Sequence, residues 1–158
     1  MRTGVAACNL REIKGGVQNG LGESLTIEVK NTHDAIAPAA EKAEAWLEAY
    51  DPSPKAMYLV PLAIEEIVTN CIHYGYDDAD EHTIVITLSV ADETLTITVV
   101  DDGHEFDPLA REGPDLTAPA EGRPIGGLGI HMLRSLSDGM AYERRGGTNH
   151  LTLTKRLS

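Results

Sequence analysis

Apolar residues recur with two different periods along this chain, and the places where the period changes divide it into elements. Residues 25–29, Leu-Thr-Ile-Glu-Val, alternate as a strand does. An alanine-rich helix is expected from Asp34, whose side chain is a suitable cap, through Ala43, Trp46 and Leu47 to Tyr50, with Pro38 tolerable in its first turn. The Asp-Pro-Ser-Pro run at 51–54 stops it. A second helix is expected over about residues 55–76, with Val60, Ile64, Ile67, Val68, Cys71 and Ile72 on one broad apolar side and Pro61 in its first turns. Two alternating runs follow, Ile84, Ile86, Leu88, Val90 and Leu95, Ile97, Val99, joined as a hairpin by the turn at 91–94. After a long unpatterned stretch, Ile130, Met132, Leu133 and Leu136 mark a third helix that Gly139 ends, and residues 140–145 and 148–157 form a last hairpin around Gly146-Gly147. Helices gathered beside consecutive hairpins predict an α+β two-layer sandwich, a mostly antiparallel sheet with helices on one face.

Composition narrows the setting. A chain of 158 residues with 42% hydrophobic content can bury one sizeable core, so a single domain over 23–158 is expected. Residues 1–22, glycine-rich and without period, read as a flexible tail. The formal charge of -12 argues against binding nucleic acid, which needs clustered Lys and Arg. No apolar run approaches the roughly 20 residues of a membrane helix, and the start lacks the apolar centre of a signal peptide. Cys8 and Cys71 make no disulfide framework. Together these read as a cytoplasmic protein with no membrane contact. The six histidines are scattered without the spacing of a zinc site.

Three segments carry candidate chemistry. In the second helix, Glu66, Asn70 and His73 follow the i, i+4, i+7 spacing that forms one stripe, flanked by Leu59, Leu62 and Ala63, so the stripe faces a pocket or, on the plainer reading, solvent. Glu65 lies on another side. Asp101 shares parity with Leu95, Ile97 and Val99 and therefore points inward at its strand's end. An inward carboxylate needs a partner; the amino group of an adenine ring would serve, and so would the backbone of the turn through Gly103. Gly126, Gly127 and Gly129, around Leu128, open the third helix, whose free amides suit a phosphate; the plainer reading is a hinge. The loop at 105–125, with Pro108, Gly113, Pro114, Pro119, Gly122 and Pro124, is long enough to be functional, and a lid over a triphosphate is expected there. In this order and setting the segments point to ATP and Mg2+.

The same residues resemble the ATP-binding fold shared by gyrase, Hsp90 and histidine kinases, and within it the anti-sigma factor serine kinases of bacteria, over about residues 24–157. Glu66 and Asn70 match the Glu-x-x-x-Asn helix, Asp101 and Gly103 the strand-end Asp-x-Gly, and Gly127-Leu128-Gly129 the glycine box. The run Asn70 to Tyr76 and Phe106-Asp107-Pro108 look like the anti-sigma branch, although Glu105 stands where many relatives carry a second glycine. The resemblance places Thr148 in the terminal strand motif near the adenine. It implies a sigma factor and a STAS-type anti-sigma antagonist as partners, and a homodimer.

Phosphoryl transfer asks a protein for positioning and charge neutralisation. Asn70 offers Mg2+ a hard amide oxygen, and Glu66, one turn earlier, can take the proton of an attacking hydroxyl. A kinase acting in trans on a serine is the expected activity. Two other readings stand beside it: a non-catalytic ATP-binding module that sequesters a partner, and a detached histidine-kinase catalytic domain, which the short lid and Phe106-Asp107-Pro108 disfavour.

Overall fold

The computed structural model describes residues 23–110 and 128–158. Its elements run β1 (Ser24–Lys30), α1 (Ile36–Leu47), α2 (Pro54–Tyr74), β2 (Thr83–Ala91), β3 (Thr94–Asp101), α3 (Leu128–Leu136), β4 (Gly139–Arg145) and β5 (Thr148–Arg156). The five strands form one sheet in the order β1-β2-β3-β5-β4, and every neighbouring pair is antiparallel.

Strand alternation decides what the sheet does. Leu25, Ile27 and Val29, Ile84, Ile86 and Leu88, Leu95, Ile97 and Val99, and Leu151 and Leu153 all fall on one face and are buried with the apolar sides of the helices in a single cluster. The register sets Thr26, Thr87, Thr98 and Thr152 opposite one another in a row across the other face. A slip by one residue in any strand would exchange the two faces. This is the α+β sandwich that the pattern predicts, with its helices on the apolar face.

Local chemistry explains most element ends. Ser53 caps α2, its hydroxyl accepting from the Ala56 amide at 3.3 Å, with Pro54 in the first helical turn. Pro61 lies inside α2 and not in its first turns; it removes one backbone donor without ending the helix, which is anchored by buried Leu59, Val60, Ala63 and Ile64. The helix ends at Tyr74 and not Tyr76. Asp34 does not cap α1: it sits in a short 3-10 turn over His33–Ala35, and α1 starts at Ile36 with no side-chain cap. The β2–β3 hairpin turns through Asp92 and Glu93, both with positive φ, and the β4–β5 hairpin through Gly146 and Gly147, also both positive, the backbone hand that matches strand twist.

Candidate functional site

The sheet and α2 leave a cleft at one end of the core. It is lined by Asn70, Cys71 and Tyr74 of α2, Asp101 at the end of β3, Phe106 and Pro108 after it, Ile130 of α3, and Tyr142, Asn149 and Leu151 of the last hairpin, with about 470 Å³ of open space. Its lining mixes polar, aromatic and aliphatic side chains. That combination suits a flat heteroaromatic ring with a few directional polar groups.

Asp101 lies where alternation puts it, only 8% exposed. Its Oδ1 accepts from the Gly103 amide and from Asn149 Nδ2, both at 2.9 Å. The turn through Gly103 therefore engages one oxygen of the carboxylate, the capping role weighed for this residue. Cys71 is a core residue, as expected, but its thiol also bonds the Asp101 carboxylate; burial, then the Asp101 charge and that bond, push the thiol well above its ordinary range and keep it protonated. Gly103 is required by close approach: a β-carbon there would meet the Gly75 carbonyl oxygen at 2.7 Å, Asp101 Oδ1 at 2.9 Å and Gly75 Cα at 3.0 Å. The His104 amide donates to that same Gly75 oxygen at 2.8 Å, stitching the strand end to the end of α2.

Glu66 and Asn70 sit one turn apart on α2, both half-buried, with Asn70 in the cleft wall. The Glu66 side chain lies against the backbone of Gly129 in the first turn of α3, so closely that an added β-carbon would overlap its carboxyl group. Desolvation, then the charge of Glu65, raise the Glu66 carboxyl above the usual carboxylate range, which makes it a better base at neutral pH. His73 does not continue the stripe into the cleft. It is exposed, with its Nε2 3.2 Å from His33 Nε2.

The glycine box is described from Leu128 onward: Leu128 is exposed and Gly129 buried at the start of α3. Gly126 and Gly127 lie outside the described residues, as do the tail at 1–22 and most of the 105–125 loop. The part of the loop that is described is held firmly. Asp107 Oδ1 accepts from the Leu109 amide at 2.8 Å, and Arg134 of α3 donates to the carbonyls of Pro108 and Leu109 at 3.3 and 2.8 Å.

Thr148 opens β5 on the face opposite the cleft, its hydroxyl donating to the Arg145 carbonyl at 2.7 Å and lying 2.8 Å from His150 Nε2. The β5 residue that meets Asp101 is its register partner Asn149, 6% exposed. Asn149 shares parity with Leu151 and Leu153, and that signal was present in the sequence. Tyr142 and Arg144, which reach Asn149 from β4, depend on cross-strand register and had no signal of their own.

The donor set fits Mg2+ bound together with phosphates. Asn70, in the cleft wall, could offer such an ion one amide oxygen. Mg2+ bound through few protein ligands takes the rest from phosphate and water.

Among the described residues no helix is long and apolar enough to cross a membrane. Residues 29–155 match the histidine kinase-like ATPase domain family. The chain is 27% identical over 102 residues to the serine/threonine-protein kinase BtrW of Bordetella bronchiseptica, covering 65% of this chain and 72% of that protein. It is 25% identical over 114 residues to an anti-sigma F factor of Clostridium botulinum, covering 72% and 78%. Among solved structures, the RsbU and RsbW domains of Rv1364c from Mycobacterium tuberculosis superpose with a TM-score of 0.61 at 22% identity, over 85% of this chain and 32% of that one, a likeness of fold. The family match spans most of the chain, and the chain belongs to the histidine kinase-like ATPase domain family.

Proposed function

We propose that this protein is an ATP-dependent serine kinase of the anti-sigma type, which phosphorylates an anti-sigma antagonist and binds a sigma factor. The observation that carries this reading is the pairing on α2 of Glu66, whose carboxyl is held above its ordinary pKa, with Asn70 one turn on in the cleft wall. A module that only stores nucleotide has no need of a basic carboxylate beside the metal-binding amide. The names of the relatives, a serine/threonine kinase and anti-sigma F factors, support the same reading.

In this account Asp101 accepts from the exocyclic amino group of adenine, and Ile67, Ile130 and Leu151 cover the ring. Asn70 would hold Mg2+, which would supply charge neutralisation on the phosphates. Glu66 takes the proton as a serine hydroxyl forms its bond to the γ-phosphorus and the bond to the β–γ bridging oxygen breaks, leaving ADP and a phosphoserine. The first turn of α3, around Gly129, would offer backbone amides to the phosphates.

Incubation with γ-labelled ATP and a candidate antagonist tests the assignment. Acid-stable label on a serine of the antagonist is expected. No label on either protein would favour the binding module, and acid-labile label on the chain itself would favour the histidine-kinase reading.

A further inference from the structure

The side chain of Asn149 takes part in five hydrogen bonds at the cleft. Its Nδ2 donates to Asp101 Oδ1 at 2.9 Å and to the His104 carbonyl at 2.8 Å. Its Oδ1 accepts from the Tyr142 hydroxyl at 2.6 Å, from Arg144 Nη1 at 3.0 Å and from the Phe106 amide at 3.5 Å. Both amide hydrogens are used by acceptors and the oxygen is met only by donors. A flipped amide would turn oxygen toward the Asp101 carboxylate and the His104 carbonyl, and hydrogens toward Arg144, so one orientation alone is compatible with this shell.

The consequence falls on Asp101. Its Oδ1 receives two donors, the Gly103 amide and Asn149, which fill that oxygen's two lone-pair directions. Any further donor, the Cys71 thiol or one arriving from the cleft, is left with Oδ2. Arg144 Nη1 also donates to the Gly103 carbonyl at 2.7 Å, so the turn that carries one of the two donors is tied to the same shell.

We propose that Asn149 is the positioning residue of the base site: it fixes Asp101 as an acceptor with Oδ2 turned to the cleft, and so sets the preference for a 6-aminopurine over a 6-oxopurine. This rests on Asp101 as the base-recognition residue. Asn149 itself touches no substrate in this arrangement. Its neutral amide does two things a carboxylate could not: it donates to Asp101 at every pH, and it adds no charge beside it.

Asn149→Asp gives the test a readout that loss of packing would not move. The variant sets two carboxyl groups side by side, a pair that titrates together with one proton held above the ordinary range. With that proton bound, the new carboxylic acid can donate to Asp101 Oδ1 as the amide did; with it lost, two like charges face each other. Calorimetric ATP affinity of the native protein should vary little with pH, whereas Asn149→Asp should bind roughly tenfold or more weakly at about pH 8 and recover toward native affinity at about pH 5.5. Its ATP-over-GTP preference should shrink at the higher pH in parallel. Asn149→Ser, whose hydroxyl cannot span both acceptors, should lose preference for ATP at both pH values, and it serves alone if the aspartate variant does not fold. A lowered melting temperature with native ATP-over-GTP preference and a flat pH profile would overturn the proposal. Asp101→Asn in the same series separates the two levels: if it keeps full preference for ATP, the base-recognition reading of Asp101 fails. If Asp101→Asn loses that preference while the Asn149 variants keep it, only the positioning role fails.

Discussion

The carboxyl of Glu66 lies against the α-carbon of Gly129, so that α2 and α3 meet through an acidic side chain on one helix and a bare backbone on the other. Only glycine leaves the Glu66 side chain its place. Gly129→Ala would have its methyl overlap the far end of a flexible side chain, which can move away without disturbing either helix. The variant should therefore fold with stability changed by no more than about 1 kcal/mol, as for tolerated small volume changes. Transfer should nevertheless fall by about a hundredfold, the scale of a 1 Å misplacement of a catalytic group. Thermal unfolding and transfer rate measured on one preparation check both halves.

Asp101→Asn keeps an oxygen for the Gly103 amide and Asn149 but presents an NH2 where the second carboxylate oxygen stood. The adenine amino group would then face a donor. ATP affinity by calorimetry should drop by about 1.5–3 kcal/mol, the range for a hydrogen bond to a charged group. GTP, whose ring carries an acceptor at that place, should bind the native protein poorly.

Gly103→Ala is expected to damage the fold more than Gly129→Ala, because the β-carbon at 103 meets backbone, the Gly75 carbonyl at 2.7 Å, and not a mobile side chain. Overpacking of this kind costs about 1–3 kcal/mol. A lower urea midpoint with an unchanged m-value would report it.

The raised pKa of Glu66 has a direct pH consequence. As a base it must be ionised, so transfer should fail on the acid side at a pH above the usual carboxylate range. Glu65, the second cause of the shift, is exposed and lines no part of the cleft. Glu65→Gln removes a neighbouring negative charge, makes ionisation of Glu66 easier and should move the acid limb of the pH–rate profile to lower pH. An unmoved limb would show that the limb belongs to another group.

His82 provides an independent pH test of the fold beside the site. It bonds Asp78 at 2.8 Å and Asp102 at 3.2 Å and stacks on Tyr76 at 3.9 Å, and the Asp78 bond foremost raises its pKa. A raised folded-state pKa means that its contribution is complete below the ordinary histidine value and is lost as pH rises through the raised one. His82→Gln should remove that increment, bringing the two proteins' melting temperatures closer together as pH increases.

How much was legible in the sequence depended on whether a signal was local. Alternation placed β1, β2, β3 and β5 and turned Asp101 inward, the Gly146-Gly147 turn placed β4, and helical spacing put Glu66 and Asn70 on one side of α2. The same spacing failed for His73, because that end of α2 lies beside His33 of the 3-10 turn before α1, and a long-range neighbour leaves no trace in a helical wheel. Asp34 has the chemistry of a cap, yet the chain enters α1 through a 3-10 turn that gives its side chain no free amide. Thr148 was singled out by resemblance, whereas parity with Leu151 and Leu153 indicates its neighbour Asn149. Tyr142 and Arg144 enter the site only through pairing of β4 with β5, which fixes Tyr142 opposite Leu151 and Arg144 opposite Asn149.

Single-turnover transfer from Mg-ATP to the antagonist, compared between native protein and Glu66→Gln at equal nucleotide occupancy, tests the central claim most directly. Native binding with transfer slowed by at least about a hundredfold, the lower range of general-base contributions, is expected. Transfer at the native rate would mean that Glu66 is not the base, and would contradict the account of the α2 pair as the catalytic centre.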